Sequence, residues 1–186
     1  TNASWMEDQD FFRFSGLFRE VFLYAIPAVH IRDMKITTPL NDDFTFGEVR
    51  IAMEAIGQGH AVCRLYDGER QVAEADVPLP ADREAVLPVD SPRLWSAEKP
   101  HLYDLVIEVF DGSGVPMEMV SEQVGLRRFE IRNGIMELNG RRILFRGVNR
   151  HEFSSAHGRC VTEEETERDI RTMKQNNINA IRTSHY

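Results

Sequence analysis

The chain has 186 residues, 42% hydrophobic and 28% charged, the composition of a globular protein with room for one or two cores. Its 22 basic and 30 acidic side chains give a net charge of −8, which argues against nucleic acid or an anionic membrane as the main partner. It contains no apolar run of the roughly 18 residues that a helical membrane span requires.

Residues 1–25 begin with an aromatic run. Phe11, Phe12, Phe14, Leu17, Phe18, Val21 and Phe22 make this stretch too apolar for a free tail, and Ser15-Gly16 breaks it in two. Residues 19–25 read as a strand leading out of a domain, an orphan because its partner strands are missing. Glu7, Asp8 and Asp10 are equivalent on this reading, since a turn or cap is the ordinary role of a lone aspartate. The first eight residues have neither the basic nor the apolar region of a signal peptide. There is no initiator Met, and the sequence stops at Tyr186 just after a predicted strand, so a piece of a longer chain is expected.

Residues 26–127 read as all-β. Strands are predicted over 29–38, 44–55, 61–66, 71–77, 84–88, 102–110 and 117–124, with clear alternation in LYDLVIEVF. Turn signals separate them: LNDD at 40–43, GQG at 57–59, DG at 67–68 and DGSG at 111–114. Seven short strands in this span suggest an immunoglobulin-like sandwich, without the Cys…Trp…Cys pattern of antibody domains. In PRLWSAEKPHLY (92–103), two prolines hold a loop extended while Leu94 and Trp95 plug the end of the sandwich. Trp95 is therefore assigned to packing rather than to stacking on a ligand. His30, His60 and His101 are scattered and read as surface or satisfied histidines. Cys63 and Cys160 lie far apart and are expected as two reduced thiols of a cytosolic protein.

Asn133-Gly134 between two short apolar runs is a strong hairpin signal, because both positions favour φ > 0, and Asn139-Gly140 repeats it. Two strand-like pieces follow, RILFRGV (142–148) and INAI (178–181), with a helix between them. The helix is predicted to start after Thr162, with Glu165 completing a capping box, and to run to about Asn176. Glu163 and Glu164 add favourable charge at its N-terminus, and Thr166, Ile170 and Met173 form a narrow apolar stripe. The two strands end in polar residues. Ligands sit at the carboxyl ends of parallel strands, so Asn149, Arg150, His151, Arg182, Ser184 and His185 are expected to face one mouth. A plain βαβ unit whose polar residues only hydrate the strand ends fits the same pattern. His151, Glu152 and His157 have the wrong spacing for a zinc helix, no GxGxxG precedes a helix, and adjacent Ser184 and His185 face opposite ways on a strand, so they form no triad.

LNGRRILFRGVNRHE (138–152) followed by MKQNNINAIRTSHY (173–186) resembles the opening of the catalytic barrel of family 2 glycoside hydrolases. Within that family it is most similar to the large bacterial β-galactosidases. The spacing from His151 to His185, LWSxExPxLY at 94–103 and EDQDxxRxSGxxRxV at 7–21 agree with the pattern. The resemblance implies a mainly β chain in three parts: the last part of a jelly-roll domain over 1–25, an immunoglobulin-like sandwich over 26–127, and the start of a TIM barrel over 128–186. The meander over 129–138 then floors the barrel. One crossover cannot close an eight-stranded barrel of roughly 250 residues, so only its first βαβ step is expected here.

The family's retaining hydrolysis needs two glutamates on later barrel strands, and neither is matched in this chain. Alone it is expected to be inactive. Glu152 matches neither and is read as a partner of a nearby arginine. The resemblance implies that His151 and His185 hydrogen-bond galactose hydroxyls and that Arg182 sits at the base of the pocket near the nucleophile. Asn149, Arg150 and Ser184 support them. Asp10 matches an aspartate that helps hold the sugar and binds sodium, and magnesium is held by residues after Tyr186. The parent is expected to be a cytoplasmic homo-oligomer, for which a tetramer is one arrangement, acting on β-galactosides, with no nucleic-acid or membrane partner. A β-glucuronidase or β-mannosidase of the same architecture is an alternative, although EDQDxxR and RxSHY favour a galactosidase. A carbohydrate-binding or scaffold module without catalysis is another.

Overall fold

The computed structural model describes residue 17 and residues 20–81 and 84–183. They belong to two compact units, Ala25–Leu144 and a second that includes Phe145–Tyr186.

The first unit is built on seven strands: β1 (His30–Thr37), β2 (Phe46–Ile56), β3 (Gly59–Asp67), β4 (Arg70–Leu79), β5 (Ala85–Asp90), β6 (Tyr103–Asp111) and β7 (Pro116–Val124). Each corresponds to a predicted strand. One antiparallel sheet has the order β1-β2-β5 and the other β4-β3-β6-β7. Chain neighbours are thus split between sheets, as in an immunoglobulin-like sandwich. The alternation in the sequence decides which face goes inward. On β6, Tyr103, Leu105, Ile107 and Val109 are buried while Asp104, Val106, Glu108 and Phe110 are partly exposed. Val49 and Ile51 of β2, Cys63 and Leu65 of β3 and Leu87 of β5 complete the core. Each such aliphatic side chain contributes about 1.5–3 kcal/mol by leaving water. The edge of β1 is closed where Ile31 N donates to Glu118 Oε2 on β7 at 2.8 Å, beside a bulge between Ile31 and Asp33.

A meander follows: β8 (Phe129–Arg132), β9 (Ile135–Leu138) and β10 (Arg141–Arg142). Asn133 and Gly134 have φ of 50° and 76°, and Asn139 and Gly140 have 51° and 71°. Both turns therefore use the left-handed pairs that match strand twist in two-residue hairpins. Asn139 does more than turn the chain. Its Oδ1 accepts from Arg128 N at 2.9 Å and its Nδ2 donates to Trp95 O at 3.0 Å. The meander groups with the sandwich unit, which extends through Leu144.

Trp95 is packed from several sides. Its backbone N donates to Leu126 O at 2.9 Å, the Arg127 guanidinium lies 4.4 Å from its ring centroid, and a Cβ on Gly125 would press against it at 3.0 Å. The three sandwich histidines also have structural contacts. His30 Nδ1 lies 2.8 Å from Pro27 O, His60 stacks on Phe110 at 4.8 Å, and His101 sits edge-on to Tyr103 with Nε2 3.2 Å from Asp67. Cys63 is buried in the core and Cys160 is exposed; both are thiols, not halves of a disulfide.

The strand expected to lead out of the preceding domain is not formed. Residues 20–27 have no strand pairing, and Leu23 is 100% exposed. A strand needs a neighbour to bond its backbone, and this one finds none among the described residues. Residues 1–16, 18 and 19, the rest of the jelly-roll expectation, lie outside the described part.

The second unit contains β11 (Gly147–Arg150), α1 (Glu163–Gln175) and β12 (Ala180–Thr183), with β11 and β12 parallel. This is one βαβ step. Thr162 caps α1 and forms the expected capping box with Glu165. At the other end Asn177 takes φ 59°, Ile178 N bonds Met173 O and Asn177 N bonds Lys174 O. That double closure satisfies the last carbonyls and turns the chain toward β12. The apolar stripe is only partly covered, and no residue of α1 is fully buried. Among the described residues no helix is long and apolar enough to cross a membrane.

Candidate functional site

The site is built on the carboxyl ends of β11 and β12. Their register pairs Gly147 with Ala180, Val148 with Ile181, Asn149 with Arg182 and Arg150 with Thr183. Side chains alternate faces along a strand, so Asn149 and Arg182 share one face and Arg150 and Thr183 the other. A Cβ placed on Gly147 would lie 3.5 Å from the Ala180 Cβ, which puts that pair on the Asn149 face. Both strands are pinned at their starts: Arg146 N donates to Asn179 Oδ1 at 2.8 Å, and Asn179 N to Arg146 O at 3.1 Å.

Arg150 does not join Asn149. Its guanidinium reaches α1, donating to Asp169 Oδ2 and to Thr166 Oγ1, both at 3.1 Å. The expectation of a common direction for Asn149 and Arg150 is corrected here, for the simplest reason: neighbours on a strand point opposite ways. Arg150 holds the helix against the strand instead. Asn149 and Arg182 are both exposed on the face away from that contact.

His151 is the first residue past β11. It is half-buried with its Nδ1 atom enclosed, and its carbonyl accepts from Phe153 N at 2.9 Å, so the chain turns at once. Asp10, Ser184 and His185 lie outside the described residues. The structure therefore places Asn149 beside Arg182, and His151 next along the chain.

Sequence reasoning overlooked the loop from residue 153 to residue 161. Ser154 is buried, and its Oγ donates to Glu165 Oε1 at 2.6 Å. Glu165 Oε2 accepts from Thr162 N at 3.0 Å. The bond from Ser154, followed by that from Thr162 N, holds the Glu165 carboxyl below its ordinary range, and nearby His157 acts in the same direction. The Glu164 carboxyl is also lowered, by its own backbone N–H and by Thr162. The capping box was visible in the sequence, but nothing there announces that its glutamate also takes a serine eleven positions away. Among the described residues no group of three or more His, Cys, Asp or Glu side chains could hold a metal ion.

An arginine beside an amide, with an imidazole on the adjoining turn, can hold a polyhydroxylated ligand and supply a fixed positive charge. The comparisons give that arrangement a family. Residues 29–127 match the model described as glycosyl hydrolases family 2, and residues 129–186 match that family's TIM barrel domain. The whole chain aligns with a β-galactosidase of Halalkalibacterium halodurans at 48% identity and one of Streptococcus thermophilus at 46%, covering 19% and 18% of those proteins. A solved β-glucuronidase of Ruminococcus gnavus in complex with D-glucuronic acid superposes with a TM-score of 0.76 at 30% identity, over 86% of this chain and 27% of that one. The chain thus spans about a fifth of the length of the curated relatives it matches. It is an immunoglobulin-like sandwich followed by the start of a TIM barrel, and the chain belongs to glycosyl hydrolase family 2.

Proposed function

We propose that this chain is part of a retaining β-galactosidase that releases terminal β-D-galactosyl residues, and that it supplies part of the substrate-holding surface. The observation that carries the reading is identity of 43–48% to three curated β-galactosidases over the full length of the chain. The likeness to a β-glucuronidase, at 30% identity, supports the shared architecture.

In this reading His151 and His185 hydrogen-bond sugar hydroxyls. A neutral imidazole suits that task because it donates from one nitrogen and accepts at the other. Arg182 supplies a fixed positive charge that keeps a neighbouring carboxylate ionised. Asn149 stands beside it and Ser184 supports the strand end. Retaining hydrolysis needs two carboxyl groups about 5 Å apart, one as acid/base and one as nucleophile. Both belong to parts of the protein outside this chain, which by itself is inactive. Asp10 with sodium, magnesium held elsewhere, and a cytoplasmic homo-oligomer belong to the same reading.

The test is hydrolysis by the whole protein of nitrophenyl β-D-galactoside and nitrophenyl β-D-glucuronide. Preference for the galactoside, lost in His151→Ala and His185→Ala, supports the reading. Preference for the glucuronide replaces it with the uronidase alternative. Sugar binding without hydrolysis of either leaves a carbohydrate-binding module.

A further inference from the structure

We propose that Glu165 is a positioning residue for His151: its carboxylate clasps the loop that carries the histidine to the N-terminus of α1. This rests on the reading of His151 as a substrate-holding residue.

His151 is bracketed by two anchors to one helix. Immediately before it, Arg150 donates to Thr166 and Asp169. Three residues after it, Ser154 donates to Glu165. Only residues 151–153 lie between the anchors, and the bond from Phe153 N to His151 O tightens that span further. So short a span cannot move the imidazole far while both anchors hold.

The second anchor is built, not incidental. Ser154 and Gly158 exchange backbone bonds at 2.7 and 2.9 Å, closing a tight loop. Ser154 Oγ accepts from Ala156 N and His157 N, each at 3.3 Å, and gives its own proton to Glu165 Oε1 at 2.6 Å. His157 Nδ1 lies 3.5 Å from the same oxygen. The other oxygen, Oε2, takes Thr162 N. Helix capping uses that one oxygen. The second is directed at the loop, so the carboxylate joins the loop's beginning to the point where it becomes helix.

Holding a substrate-binding group in place matters because displacement by about 1 Å can cost about a hundredfold in rate. Removing the groups that orient a metal's ligands typically costs about 10- to 100-fold, and the same scale is expected for a group that orients a sugar-holding histidine. The test is a mutant cycle in the whole enzyme, with kcat and KM on nitrophenyl β-D-galactoside and a melting temperature for each variant. Glu165→Ala and Ser154→Ala are expected to lower kcat/KM by about 10- to 100-fold. Glu165→Gln keeps an acceptor for the Ser154 hydroxyl and restores most of the loss. In a His151→Ala background, Glu165→Ala is expected to add less than about threefold, because both changes act on one group.

Full additivity of the two changes overturns the proposal, as does a lowered melting temperature with unchanged kcat/KM. If Glu165→Ala does not fold, Ser154→Ala carries the same cycle. Wild-type enzyme active only on another β-glycoside overturns the galactoside reading, and the cycle is then read on that substrate. Unimpaired His151→Ala overturns this proposal without touching the family's chemistry.

Discussion

Asn149 and Arg182 are register partners, side by side on the face of the β11–β12 pair opposite Arg150 and Thr183. Arg150 is spent on α1, and in the proposed reading the opposite face, which bears Arg182, is the one that meets the ligand. Arg182→Ala is expected to reduce kcat/KM of the whole enzyme by about 2–4 kcal/mol of transition-state stabilisation. Arg182→Lys should recover only part, since an ammonium lacks the planar fork. Thr183→Val, one residue on and facing the other way, should change the barrier by less than about 0.5 kcal/mol. Steady-state kinetics decide it; a larger effect at Thr183 than at Arg182 would put the ligand on the wrong face.

The end of α1 offers a test of local backbone chemistry. Asn177 sits at φ 59°, where a side chain is a burden and glycine is at ease. Asn177→Gly is expected to stabilise the second unit by a few tenths of a kcal/mol, and Asn177→Val to destabilise it by about 1–2 kcal/mol. Chemical denaturation followed by circular dichroism measures both. Equal effects of glycine and valine would show that the closing turn is not what limits the helix.

The two units were not equally legible. Strands β1 to β7 announce themselves because each has one face against the core and turn residues at its ends, as in Tyr103 to Asp111. The paired Asn-Gly turns and the Thr162–Glu165 cap are local chemistry, readable within four residues. The misreadings have a different origin. Residues 19–25 have strand-like composition, but strand formation depends on a partner that composition does not reveal. Arg150 was readable: the alternation that separates Ser184 from His185 also separates Asn149 from Arg150, and it had to be applied at both strand ends. The Ser154–Glu165 bond closes a loop between distant residues, and no periodicity encodes such a contact.

Trp95 separates packing from sugar binding. A Cβ on Gly125 would lie 3.0–3.1 Å from Trp95 Cβ, Cγ and Cδ1, so Gly125→Ala must push the indole or the strand aside. The expected cost is about 1–3 kcal/mol of stability. Trp95→Ala should destabilise by about 1–3 kcal/mol, less than a fully buried aromatic because Trp95 is only partly buried. Neither should alter KM in protein that remains folded. A raised KM with an unchanged melting temperature would move Trp95 from the sandwich to the substrate.

Cys63 provides a pH test of the core. Its side chain is wholly buried on β3, and that burial, helped by the Asp76 carboxylate, pushes the thiol from its ordinary 9.0 up to about 11. Below pH 9 the folded and unfolded chains both keep the proton, and stability does not depend on this group. Above it the unfolded thiol ionises while the folded one does not, so unfolding gains until about pH 11, where both are ionised. The loss should be on the order of 2 kcal/mol, at about 1.4 kcal/mol per unit. Cys63→Ala removes this alkaline loss and costs about 1 kcal/mol at neutral pH for the small void it leaves. Urea midpoints for both chains between pH 7 and 11 measure the difference, and a pH-independent gap would refute the assignment. The same burial predicts selective chemistry: at pH 8 a thiol reagent should modify exposed Cys160 in the native chain and reach Cys63 only after unfolding.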